Sequence, residues 1–134
     1  MNKKLIDKIA WIETKDGKIC VTRSKNKTKY YIPGGKREPG ESDEACLIRE
    51  IREELDVDIV PQSIRYVGTF QAQADAHAEG IEVKMTCYSA DYQGTLKASS
   101  EIAELRWLHA SDTALVSYVD VKIFGHLHKQ GLLK

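Results

Sequence analysis

The chain reads as one mixed α+β domain spanning residues 1–134, and three observations predict it. A central stretch with helical periodicity is flanked on both sides by β-type runs. A second helical stretch closes the chain, and no strand–helix unit repeats, which favours a mixed sheet over a regular parallel one. The 134 residues are 42% hydrophobic and 30% charged, and a chain of this length buries roughly two-thirds of its unfolded surface in one core. With nine glycines and three prolines and no low-complexity tract, collagen-like and disordered classes are excluded. The apolar runs fall short of the ~20 residues that span a bilayer. Met1–Asp7 lacks the sustained apolar stretch of a secretory signal. Three cysteines, Cys20, Cys46 and Cys87, are an odd number with no metal-ligand spacing. Free thiols in a reducing, cytoplasmic compartment are the expectation.

Leu5–Glu13 alternates in a strand-like way, Asp16-Gly17 is a hairpin turn signal, and Lys18–Arg23 reads as the returning strand. A polar loop, Ser24–Lys29, leads to the short apolar run Tyr30-Tyr31-Ile32, halted by Pro33-Gly34-Gly35. Ser42 is a good helix N-cap, and Asp43 and Glu44 suit the first turn, where the helix dipole favours negative charge. At 100° per residue, Ala45, Leu47, Ile48, Ile51 and Leu55 form the apolar face. Val57–Val60 precedes Pro61, and Ile64–Ala74, Ile81–Asp91 and Ile102–Leu108 read as strands. Val119–Gln130 reads as the C-terminal helix, closed by Gly131, with His126 and His128 as surface groups.

Zero net charge hides a segregation. Residues 1–40 carry 11 basic and 4 acidic side chains, whereas residues 41–60 carry 2 basic and 8 acidic. Overall neutrality argues against binding a nucleic-acid duplex by its backbone. The juxtaposition suits one polyanionic ligand met by cations and by metal-binding carboxylates. On the central helix Glu50, Glu53 and Glu54 lie at i, i+3 and i+4, opposite the apolar face. Three carboxylates so close repel one another by a few tenths of a kcal/mol per pair, which a divalent cation would reverse. All-oxygen ligands with no paired His or Cys suit Mg²⁺, with Mn²⁺ as a substitute, rather than zinc. An acidic helix face taken alone is ordinary solvated surface; the loop before it changes the reading.

From Gly35, five residues lead to Glu41 and seven more to Arg49, followed by Glu50-Ile51-Arg52-Glu53-Glu54-Leu55-Asp56-Val57. This run, Gly35–Val57, resembles the Nudix box, the 23-residue signature of the Nudix hydrolases, and the chain length suits the small MutT-like members. Every fixed position matches except the last glycine, which is Asp56 here. Asp tolerates the left-handed conformation expected just past a helix end at a cost of about 1 kcal/mol or less.

The resemblance implies an α/β/α sandwich, a mixed β-sheet between helices, with the box as loop–helix–loop. It implies Mg²⁺-dependent hydrolysis of nucleoside diphosphates linked to another group, with (d)NTP or modified NTP cleaved to NMP and pyrophosphate as the default. ADP-ribose, nucleotide sugars, dinucleoside polyphosphates and a non-catalytic nucleotide sensor are the alternatives. Carried over by position, Glu50 and Glu54 are the principal metal ligands, Glu53 a further or water-mediated one, and the Gly35 carbonyl an additional one. Glu41 and Arg49 pair to brace loop against helix, and any of the three helix glutamates could deprotonate the attacking water. Glu101, six residues before Trp107, is the positional match for a further metal-binding carboxylate, with Glu79 as its rival. Arg23, Lys36 and Trp107 are the substrate-binding candidates, Trp107 as a base-stacking ring. As in many members of that family, a homodimer is an expectation; a membrane or nucleic-acid duplex partner is not.

Overall fold

A computed structural model describes residues 4–74 and 80–134. Strand β1 (Lys4–Trp11) is followed by the hairpin β2 (Thr14–Lys15) and β3 (Lys18–Ser24), then the two-residue β4 (Gly34–Gly35). Helix α1 (Asp43–Leu55) comes next, then β5 (Asp58–Ile59), β6 (Arg65–Gln73) and β7 (Ile81–Ser89). The chain ends with β8 (Tyr92–Gln93), β9 (Ile102–Leu108) and α2 (Tyr118–Lys129). The strands form a four-stranded sheet ordered β4-β1-β7-β6, a three-stranded one ordered β2-β3-β9, and the short pair β5-β8.

The Asp16-Gly17 turn has both residues at positive φ, 53° and 78°, the type I′ geometry that matches strand twist. It joins only β2 to β3, however, so the expected pairing of Lys18–Arg23 against the first strand is corrected. β1 runs parallel to β7 over eight residues, from Lys4↔Ile81 to Trp11↔Tyr88, while β3 pairs with β9. The reason lies in burial on both faces of β1: Ile9 and Trp11 enter one apolar cluster, Ala10 and Ile12 the other. An inner strand covered on both sides belongs in a mixed sheet between layers, not at an exposed hairpin.

The two clusters define the layers. One gathers Leu47, Ile51 and Leu55 of α1 with Ile9, Trp11 and Cys20. The other gathers Ile123, Phe124 and Leu127 of α2 with Ile19, Val21 and Met85. The sheets are therefore sandwiched between the two helices. On α1, Cys46 is in the core and Ala45 is exposed, the reverse of the periodicity reading for that turn. The Ser42 side chain accepts the Ala45 N–H at 3.1 Å, which starts the helix. Asp56 ends it in the left-handed conformation, φ 56°, with its N–H on the Arg52 carbonyl. On α2, His126 is half-buried rather than superficial. Its ring meets Phe70 edge-on at 5.2 Å, and its Nε2 is shielded with no hydrogen-bond partner among the described residues. Among the described residues no helix is long and apolar enough to cross a membrane.

Candidate active site

The site sits where β4 passes α1, and two glycines make that approach possible. At Gly34, φ is +148° and a Cβ would lie 2.0 Å from the Ile9 carbonyl oxygen. At Gly35 a Cβ would lie 2.5 Å from the carboxyl carbon of Glu50. The first clash is with backbone in a conformation L side chains avoid; the second is with a movable side-chain end. Gly34→Ala is therefore expected to unfold the protein or lower its melting temperature by more than about 10 °C. Gly35→Ala is expected to stay within about 3 °C while kcat falls at least about 100-fold, because only the Glu50 carboxylate must shift. Thermal melts beside steady-state rates check both; equal losses of stability would refute the distinction.

Arg49 ties loop to helix. Its Nε and Nη2 donate to the two carboxylate oxygens of Glu41, each at 2.8 Å, a bidentate pairing. Nη2 also donates to the Lys36 carbonyl at 3.1 Å and Nη1 to Glu50 at 2.9 Å. The Glu41 carboxyl is lowered to about 2, first by Arg49 and next by the Glu38 N–H. The same loop is pinned further along by Arg37, which donates to Asp43 at 2.8 Å and to Asp7 at 2.5 Å. Nothing in the sequence pattern marks Arg37; only the packing of β1 against the helix start brings its two acids together.

Glu54 faces inward. Its carboxylate accepts the Gly34 N–H at 3.4 Å, and its carboxyl is pushed up to about 8 by burial first, then by the negative Glu50 beside it. Glu101 adds a smaller push in the same direction. It is brought there because the segment before β9 folds back on the helix end, with Ser99 N–H on the Glu54 carbonyl and Lys97 N–H on that of Leu55. Glu53 turns the other way, 55% exposed and 3.6 Å from Arg49. Among the described residues no three His, Cys, Asp or Glu side chains are grouped so as to hold a metal ion by themselves. The donor set nevertheless fits a hard divalent cation. Glu50 and Glu54 crowd together with like charge, Gly35 lies directly against Glu50, and Mg²⁺ ordinarily keeps waters and takes only one or two carboxylates.

On the other side of β4 lies a cavity of about 300 Å³, reaching from Gly34 to Lys8, Tyr31, Gln73, Met85 and Ser117. None of the three substrate-binding candidates lines it. Arg23 is held by Glu104 at 3.0 Å and by the Lys27 carbonyl at 3.0 Å. Lys36 is exposed, and it is its carbonyl that is engaged. Trp107 pairs across from Cys20 and packs half-buried on the α1-side cluster, so a base in this cavity would not stack on it. Glu79 lies outside the described residues. The cavity residues were missed because they come from strand β1, the strap before the glycines, the end of β6 and the start of α2, with no shared local motif.

The NUDIX domain signature matches residues 6–123, which takes in the site, the cavity and the first half of α2. The chain belongs to the Nudix hydrolase family. It is 32% identical over 100 residues to the CTP pyrophosphohydrolase of Escherichia coli (strain K12), covering 71% of this chain and 70% of that one. It is 30% identical over 97 residues to the uncharacterized Nudix hydrolase YvcI of Bacillus subtilis (strain 168), covering 72% of this chain and 61% of YvcI. It matches the NAD-capped RNA hydrolase NudC of Pseudomonas putida (strain W619) at 36% over 85 residues, 62% of this chain but only 28% of NudC. The chain thus spans less than two-thirds of YvcI and little more than a quarter of NudC. Among solved structures, that of the E. coli ORF135 protein superposes with TM-score 0.73 at 27% identity, covering 95% and 91% of the two chains. The Methanosarcina mazei MutT structure, with TM-score 0.77, 18% identity and 98% coverage of both chains, shows the shared Nudix fold.

Proposed function

We propose that this Nudix protein is a Mg²⁺-dependent pyrophosphohydrolase of nucleoside diphosphate derivatives, with nucleoside triphosphates, canonical or modified, cleaved to NMP and pyrophosphate. One observation carries it: a largely desolvated carboxylate, Glu54, crowded by Glu50 and joined through Gly34 to a cavity of about 300 Å³. Glu50, Glu54 and the Gly35 carbonyl would hold the cation, with Glu101 at the margin. When bound, such an ion neutralises phosphate charge and acidifies a coordinated water.

The chain's own residues supply the rest. Arg49 fixes Glu50 from one side and, through Glu41, locks the loop that presents Gly35. Of the three helix glutamates, Glu50 and Glu54 lie against the two glycines and are placed to take the water's proton, whereas Glu53 is turned toward solvent. Water oxygen bonds to phosphorus as the bridging P–O bond breaks, pyrophosphate leaves with the electron pair, and the proton passes to one of those two carboxylates. The expected setting is cytoplasmic. A chromatographic product assay with Mg²⁺ on canonical and oxidised (d)NTPs, ADP-ribose, a dinucleoside polyphosphate and a nucleotide sugar tests the reading. NMP plus pyrophosphate supports it. Turnover of ADP-ribose alone would keep the chemistry and overturn the substrate. Binding without any product would make the protein a sensor.

A further inference from the structure

We propose that the cavity beside Gly34 reads the nucleobase through hydrogen-bond donors, with Lys8 as the specificity-determining residue, and so favours keto bases (guanine, uracil) over amino bases (adenine, cytosine). This rests on the nucleotide reading above and deepens it. Two lysines, Lys8 and Lys27, line the cavity, and among its described lining residues there is no Asp or Glu. The Lys8 ammonium is placed against the cavity wall, 5.9 Å from the centre of the Tyr31 ring.

Ser117 adds an independent sign. It is 7% exposed, lines the cavity, and sits at the N-cap of α2 without using its side chain to cap the helix. A Ser at that position ordinarily spends its oxygen on the first-turn N–H groups. Here the hydroxyl makes no capping bond and belongs to the cavity lining. Apolar side chains such as Val83 and Met85 complete the walls and suit the faces of a flat ring.

An ammonium has three donors and no acceptor. Guanine offers O6 and N7 to it, and uracil offers O4, whereas adenine and cytosine present an amino group at the matching position. Uracil and cytosine are matched in size, so that pair isolates the edge from the volume; guanine differs from adenine by its 2-amino group as well, so the purine pair supports the reading only where it agrees with the pyrimidine one.

Calorimetric titration with GMP against AMP, and UMP against CMP, reads the preference without needing turnover. The keto member of each pair is expected to bind at least about tenfold tighter. Lys8→Gln, which supplies both a donor and an acceptor, is expected to narrow each ratio to within about threefold. Equal binding within each pair overturns the inference, and so does a preference that survives in Lys8→Gln. Lys8→Gln weakening all four ligands alike also overturns it, because that pattern marks a phosphate contact. A keto preference in a protein that hydrolyses no nucleotide would instead overturn the pyrophosphohydrolase reading and leave this one standing.

Discussion

Glu54→Gln is expected to lower kcat by at least about 10³-fold while raising the melting temperature of the metal-free protein. The two effects have one cause. Glu54 is buried beside Glu50 and under Gly34, and its carboxyl is raised to about 8 by that burial and by its neighbour's charge. Burying such a group in its charged form costs free energy that only a partner cation returns. Gln keeps the shape and can still accept the Gly34 N–H, so the fold loses nothing and sheds a buried repulsion. What disappears is a hard, charged oxygen for the cation. The rise in melting temperature expected of the parent protein with Mg²⁺ should therefore be absent in the variant, since a ligand stabilises only in proportion to its affinity. Steady-state rates and melts with and without Mg²⁺ check this. Retained turnover would remove Glu54 from the site, and a large drop in metal-free stability would show that its role is structural.

Much of this was legible from the chain because the relevant residues lie close together in sequence. Gly35, Glu41, Arg49, Glu50 and Glu54 fall within one loop and one helix, and local rules place them: Ser42 caps, Asp56 terminates, and i+4 spacing stacks Glu50 on Glu54. The expected strand from Ile102 to Leu108 also stands with those bounds. What the sequence concealed is long-range. The parallel pairing of β1 with β7 joins residues nearly eighty positions apart, and nothing local in Lys4–Trp11 distinguishes that partner from the nearer β3. Arg23 offered a phosphate-binding cation by its place on a strand, yet its register opposite Glu104 commits it to an ion pair. Lys8 and Ser117 carried no motif, and only the meeting of β1 with the start of α2 gives them a shared cavity.

The same carboxyl makes stability depend on pH in the direction opposite to that of an ion-paired carboxylate. An acid raised in the folded state, Glu54 from 4.5 to about 8, keeps its proton after the unfolded chain has lost it. Between those values the native state binds more protons, so stability falls as pH rises through that window. Glu13, raised by its own burial, acts in the same direction. Glu41, lowered to about 2, acts oppositely: its contribution is present above 4.5 and is lost as pH falls toward 2. The thiols of Cys20, Cys46 and Cys87 are pushed up to about 12, so they weaken the fold only above their ordinary value of 9. The metal-free protein is accordingly expected to lose about 3 °C or more of melting temperature between pH 6 and pH 8.5. Mg²⁺ held by Glu54 as proposed would compete with the proton there, because the ligand form is the deprotonated one. Its stabilising shift should be small at pH 6 and several-fold larger at pH 8.5, and Glu54→Gln should flatten both trends. Melts across that range, with and without Mg²⁺, decide it. A Mg²⁺ shift of equal size at both ends would mean that the cation binds where no raised carboxyl must first give up its proton.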